Sequence, residues 1–163
     1  MKPPYNNFPC ISSDRILLRQ VLPSDIQAIV DISFYDGIKA TKMEEAIEMQ
    51  AKINKNYLEG NSIHWAIIDK ATSNITGTCG YYRGFENDAG ELGCVLLRQY
   101  QGKGLMTEAL KLAIDFGLHV IKLKRIWAVT TKQNHKAIKL LNKLNFIKVD
   151  DLPDNTMEYE LNF

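Results

Sequence analysis

At 163 residues and 45% hydrophobic content, the chain suits one compact domain whose core needs neither disulfides nor a structural metal. Lys and Arg number 20 against 19 Asp and Glu, so the net charge of +1 excludes a global field of the kind that marks nucleic-acid or membrane binders. The three cysteines, Cys10, Cys79 and Cys94, are odd in number and widely spaced, without a C-x-x-C or a nearby His pair; this points to free thiols in a reducing compartment and to no metal site.

Residues 1–13, with Pro3, Pro4 and Pro9, read as an irregular leader pinned by Phe8 and Ile11, and residues 14–163 as one domain. The start has no apolar signal region and no window approaches the ~20 apolar residues of a membrane span, so a cytoplasmic protein is expected. Arg15 to Val21 reads as a strand, and Pro23-Ser24-Asp25 starts a helix ahead of Ile26, Ile29 and Val30. A second helix is expected from Thr41, whose Thr41-x-x-Glu44 spacing forms a capping box, to about Leu58 before Gly60. Ile63 to Ile68 and Ile75 to Tyr82 then pair as a hairpin around Ser73-Asn74, and Glu91 to Leu97 adds a third strand after the turn at residues 86–90. Apolar residues at steps of three or four place one long helix over Lys103 to Val120. Arg125 to Thr131, Asn134 to Leu144, Phe146 to Val149 and Thr156 to Phe163 read as strand, helix, strand and closing strand. A meander joined to a βαβ crossover makes the class α/β or α+β, with a mixed, mostly antiparallel sheet of six to seven strands and about four helices.

Between the strand ending at Leu97 and the helix near Lys103 lies Gln99-Tyr100-Gln101-Gly102-Lys103-Gly104. Strand, glycine turn and helix N-terminus together suit an anion such as a pyrophosphate, through close backbone approach, unpaired first-turn amides and the helix dipole. Two nucleotide motifs fail here. Gly104 follows Lys103 where a P-loop needs Ser or Thr, and Thr107 stands where the dinucleotide fingerprint needs its third Gly. A turn that merely joins strand to helix is the plain alternative.

Gln99-x-x-Gly102-x-Gly104 resembles the Q/R-x-x-G-x-G/A motif of GNAT acetyltransferases. Gln101 to Leu110, Gly90-Glu91-Leu92-Gly93, Asn134 to Phe146 and Arg15 to Arg19 are similar to segments of the branch that acetylates ribosomal-protein N-termini. The chain departs from that pattern at Ala137, where the family usually has Ser, and at Asn145, where it usually has Gly; Asn also tolerates a left-handed backbone. The resemblance implies acetyl-CoA as donor, its pyrophosphate on the amides of Gln101, Gly102, Lys103, Gly104, Leu105 and Met106, with Gln99 opening the motif. Its pantetheine is expected beside Val95, Leu96 and Leu97, pairing with main chain like an added strand, and Asn134 matches the cofactor-contacting Asn.

Acyl transfer to an amine needs a neutral nucleophile, a donor for the developing oxyanion and a proton for the thiolate. Glu91, on one strand face with Gly93 and Val95, is the candidate base, and an amide near Val95 or Leu96 the candidate oxyanion donor. Tyr81, Tyr82, Tyr100, His135 or bulk water can supply the thiolate proton. The acceptor, a protein N-terminus or a small amine, is expected among residues 22–60 and 83–90. A CoA-binding sensor without turnover is the competing reading, and Ala137 is what favours it. The cationic residues around the last βα unit suit CoA phosphates better than nucleic acid. An exposed edge strand permits a homodimer.

Overall fold

In the structure, a computed structural model that describes all 163 residues, ten strands and three α-helices follow one another. In chain order they are β1 (Ile11–Ser12), β2 (Ile16–Gln20), the short pair β3 (Phe34–Tyr35) and β4 (Ile38–Lys39), and α1 (Met43–Leu58). Next come β5 (Ile63–Asp69), β6 (Ile75–Tyr81), β7 (Ala89–Leu96), α2 (Leu105–Phe116) and β8 (Arg125–Thr131), then α3 (His135–Lys143), β9 (Phe146–Leu152) and β10 (Thr156–Leu161). Eight of the strands form one sheet in the order β1-β2-β5-β6-β7-β8-β10-β9, and β3 with β4 makes a separate hairpin. All sheet pairings are antiparallel except that of β7 with β8, the two strands joined by the α2 crossover.

Period-two alternation gives each central strand two buried faces. Ile63, Trp65 and Ile67 of β5, with Cys79 and Tyr81 of β6 and Leu92 and Leu96 of β7, pack against Leu105, Ala109, Ala113 and Phe116 of α2. Ala66 and Ile68 turn to the opposite face, where they meet Ile29. The segment carrying Ile29, Pro23–Ile32, is 3-10 rather than the expected α-helix. It begins where the Asp25 carboxylate accepts the Leu22 N–H at 2.7 Å while paired to Arg19. Burial pushes Asp25 up, but the Arg19 and Leu22 bonds outweigh it and hold the group below the ordinary carboxylate range.

Four further differences from the sequence reading have local causes. The sheet has eight strands because the leader itself contributes β1, which pairs Ile11 with Leu18. The Thr41 capping partner is Glu45 rather than Glu44: Lys42 is still extended at φ −148°, so the helix begins one residue late, and Thr41 N–H and Oγ1 both donate to Glu45. The long helix starts at Leu105 and gives way to a π turn over Gly117–Ile121, which ends on the left-handed Lys122. The closing strand β10 inserts between β8 and β9, which leaves β9 at the sheet edge. Asn145 does adopt φ 66° after α3, as its tolerance of that region allows.

The leader is tied down along its length. Trp65 Nε1 donates to Pro9 O at 3.0 Å, the Tyr57 hydroxyl accepts the Tyr5 N–H at 3.0 Å, and Tyr5 packs edge-on against Phe116. Deleting residues 1–10 strips these partners and strands a buried indole N–H, a loss of about 1–3 kcal/mol before the aromatic contacts are counted. Thermal unfolding of the truncated chain is expected to fall by roughly 5 °C or more; an unchanged midpoint would show that the leader is a passive tail.

Candidate functional site

The parallel pairing of β7 with β8 covers only Ala89 with Arg125, Gly90 with Ile126 and Glu91 with Trp127, although β7 runs on to Leu96. Beyond Glu91 the two strands separate and the middle of the sheet carries a gap. The Tyr82 N–H donates to Glu91 O at 3.0 Å and the Leu97 N–H to Thr76 O at 2.9 Å. Alternation then directs the main chain of Glu91, Gly93, Val95 and Leu97 toward β6. It turns Leu92, Cys94 and Leu96 toward the gap. Gln101 Nε2 takes the Leu96 carbonyl at 3.3 Å, which leaves the Cys94 and Leu96 N–H groups as open donors. Val95 faces the gap with neither amide nor carbonyl; its side chain lies on the Glu91 face.

Because β7 and β8 are parallel, the loops that follow them lie at the same end of the gap. After β7 the chain makes a 3-10 turn over Arg98–Tyr100, with Gln99 exposed, and reaches Gly102 and Gly104, both at φ +78°. Only glycine adopts that backbone readily, and a Cβ on Gly102 would meet nothing within 4 Å, so the loop surface is bare. The first bond into α2 runs from Glu108 N–H to Gly104 O at 3.2 Å. The amides of Leu105, Met106 and Thr107 therefore have no intrahelical acceptor and lie at the positive end of the dipole.

Arg15, read from the sequence only as the start of a strand, braces this loop. Its Nη1 donates to Lys103 O at 2.9 Å and its Nε pairs with Glu108 at 2.7 Å. Ser13 Oγ also donates to Glu108. Burial pushes Glu108 up, yet the Ser13 and Arg15 bonds hold it below the ordinary range, so its charge is compensated rather than set against an anion at the loop. No spacing rule links residues 88 apart, and only the packing of the segment before β2 against the loop before α2 shows the role. After β8, Asn134 caps α3 by accepting the Ala137 N–H on Oδ1 at 3.1 Å, which leaves its Nδ2 free at the same end of the gap. Bare glycine loop, free amides and unpaired strand edge are the features an extended pantetheine and its pyrophosphate require, so the residues fit acetyl-CoA.

On the opposite face lies a cavity of about 280 Å³. Glu91, Val95, His64, Thr78 and Tyr82 form its floor; Ile29 and Ile32, the β3–β4 hairpin and the inner side of α1 form its walls. The hairpin was missed in the sequence although its signal was there. Asp36-Gly37, at φ 50° and 75°, is a two-residue turn between Phe34-Tyr35 and Ile38-Lys39.

Burial pushes the Glu91 carboxyl above the ordinary glutamate value, Arg83 pulls it back and Glu158 adds to the rise. Arg83 Nε lies 2.8 Å from Glu91 Oε2, near enough for an ion pair but misaligned for a hydrogen bond, so Oε2 is buried without a hydrogen-bond partner. His64 is pushed down to about 4 by burial and is neutral at physiological pH. Its ring faces that of Tyr82 at 5.2 Å. Tyr82 lies across Gly93, where any Cβ would overlap the ring. Of the four protein groups considered for the thiolate proton, only Tyr82 lines this cavity. Tyr81 instead donates to Ala113 O at 2.9 Å on the α2 face, Tyr100 stacks beneath Lys103 on the loop, and His135 is exposed at the start of α3.

The chain matches the acetyltransferase (GNAT) domain over residues 15–147. It is 39% identical over 150 residues to the N-acetyltransferase p20 of Bacillus licheniformis, across 87% of this chain and 84% of that protein. Over a shorter stretch of 56 residues, 34% of this chain and 30% of the relative, it is 43% identical to the spermidine N(1)-acetyltransferase of Escherichia coli (strain K12). The solved structure of a ribosomal-protein alanine acetyltransferase from Vibrio fischeri shares the fold, with a TM-score of 0.76 and 21% identity over 93% of this chain and 95% of that one. The chain therefore belongs to the GNAT acetyltransferase family and is an acetyl-CoA-dependent N-acetyltransferase.

Proposed function

We propose that this enzyme holds acetyl-CoA along the open edge of β7 and draws a primary amine into the cavity, where the amine attacks directly in a ternary complex. The observation that carries this reading is that one strand serves both sites. β7 presents unpaired main chain to the gap at Cys94 and Leu96, while Glu91 and Val95 of the same strand line the cavity. The amides of Gly102, Lys103, Gly104, Leu105 and Met106 receive the pyrophosphate, while the Gln101 N–H is taken by Arg98 O at 3.3 Å, so that Gln101, like Gln99, only flanks the loop. Leu96 borders the pantetheine with its main chain, whereas Val95 and Leu97 turn theirs to β6. Asn134 adds a donor from the α3 side.

Bound acetyl-CoA supplies the thioester carbonyl and the thiol leaving group. Glu91 accepts the amine proton, and its raised affinity for protons suits that task better than an ordinary surface carboxylate would. The Leu96 or Cys94 N–H, fixed in the sheet, faces charge that develops on the carbonyl oxygen. Tyr82, whose phenol carries its proton at neutral pH, lines the cavity with Glu91 and is the group placed to return a proton to sulfur. Its presence lessens the weight of Ala137, because the thiolate need not depend on a hydroxyl at that position.

Glu91→Gln keeps the shape and removes the base. Steady-state kinetics are expected to show kcat lowered by roughly 10²-fold with acetyl-CoA affinity little changed; an unaltered kcat removes Glu91 from the mechanism. Glu91 must be ionised to accept a proton, and its folded value is raised, so kcat should fall as pH drops through a point above the ~4.3 of a free glutamate. That acid limb should be missing from the Glu91→Gln profile. Gly104→Glu places bulk and negative charge at a left-handed position on the loop. Calorimetry should show acetyl-CoA binding weakened by at least about tenfold, the effect of losing one charge-assisted contact, and equal affinity would overturn the loop assignment.

A further inference from the structure

Arg83 and Glu91 form a pair in which neither partner is satisfied. Arg83 is the one cation lining the cavity, and none of its N–H donors makes a hydrogen bond within the protein. Its side chain is 75% exposed, against 16% for Glu91, so it reaches inward from the rim to a carboxylate on the floor. Glu91 Oε2 is buried and unbonded. A guanidinium whose terminal N–H donors are unbonded, beside a carboxylate that makes no aligned hydrogen bond, is complementary to a ligand that carries an anion and an ammonium one carbon apart. The fork suits a carboxylate in particular, which it binds through two parallel N–H donors.

The rest of the cavity is apolar where such a ligand's third substituent would lie. Ile29, Ile32, Phe34, Met49 and Ile53 contribute to its walls, and its volume of about 280 Å³ exceeds the needs of a single amino acid only modestly. The only carboxylate in the lining besides Glu91 is Asp36, exposed on the hairpin turn. A polycation would set its second charge beside Arg83 with only that rim residue to compensate. A peptide N-terminus has an amide where the fork expects a carboxylate, and leaves the terminal N–H donors of Arg83 without an anion.

We propose that the acceptor is a free α-amino acid with an apolar side chain, its carboxylate held by Arg83 and its ammonium by Glu91. The inference rests on the acyl-transfer reading above, with Glu91 as base. The ammonium gives one proton to Glu91, the neutral nitrogen forms the amide bond as the carbonyl–sulfur bond of the thioester breaks, the thiolate takes a proton from Tyr82, and the second nitrogen proton replaces the one that Tyr82 gave. Arg83 takes no part in bond making; it fixes the carboxylate and so turns the nitrogen toward Glu91.

Thiol release from acetyl-CoA is measured with L-phenylalanine, L-methionine, L-phenylalaninamide, phenethylamine, an N-terminal peptide and spermidine. The amino acids are expected to exceed phenethylamine and the amide in kcat/KM by about tenfold to a hundredfold, the worth of a charge-assisted carboxylate contact. Arg83→Gln, an exposed substitution that leaves the core intact, should bring L-phenylalanine and phenethylamine within about twofold of each other while acetyl-CoA affinity stays the same. Equal or better use of phenethylamine, the peptide or spermidine by the unaltered enzyme overturns this inference and leaves acyl transfer standing. No release with any of these amines, with calorimetric acetyl-CoA binding intact, overturns both.

Discussion

The early end of the β7–β8 pairing is the constraint around which the rest of the molecule is arranged. Buried backbone N–H and C=O groups are nearly always paired, and a gap in the middle of an eight-stranded sheet leaves several of them facing nothing in the protein. Such an arrangement persists only if both flanking strands are held from elsewhere. β6 holds β7 through five paired positions, and β10 holds β8 through another five. The insertion of β10 between β8 and β9 thus anchors the far side of the gap, while the α2 crossover ties both strands from below.

Two chemistries follow from that single opening. The edge of β7 offers main-chain donors in the plane of the sheet, and its side chains offer Glu91 to the cavity above. The electrostatics differ accordingly. At the loop the free amides and the compensated Glu108 favour an anion, because Arg15 and Ser13 offset the negative charge in the first turn of α2. In the cavity, burial raises Glu91 and lowers His64, so each favours its uncharged form more than in water. A site of that kind holds charge only where a ligand brings the opposite charge, which is why the unsatisfied Arg83 and Glu91 atoms carry information about what binds.

Much of this was legible in advance. The 3.6-residue spacing of Ala109, Ala113 and Phe116 located the face of α2 that packs on the sheet, and the β5–β6 hairpin followed from two β-rich runs about a turn. The Gly102 and Gly104 pair marked a loop that does adopt the left-handed backbone, and the placement of Glu91 on one face with Val95 holds in the cavity lining. The misses have equally local reasons. Asp36-Gly37 carried a hairpin signal between strands of two residues each, too short for alternation to register. Thr41 offered two acidic partners one position apart, and the extended backbone at Lys42 selected the second. The 3-10 form of Pro23–Ile32 and the π turn after α2 lie below the resolution of any apolar period.

What the sequence determined by itself is the longer helices and strands and the backbone of the glycine loop, because those depend on interactions within a few residues: a helical stripe, a capping group, a glycine at positive φ. The tertiary structure alone decided where β7 and β8 part and that Leu96 rather than Val95 faces the gap. It also decided that Arg15 braces a loop 88 residues away and that Arg83 reaches Glu91 across the cavity rim. Those outcomes turn on strand register and on side chains that meet across the sheet. A one-residue change of register exchanges every inward and outward group, so no short-range pattern specifies them.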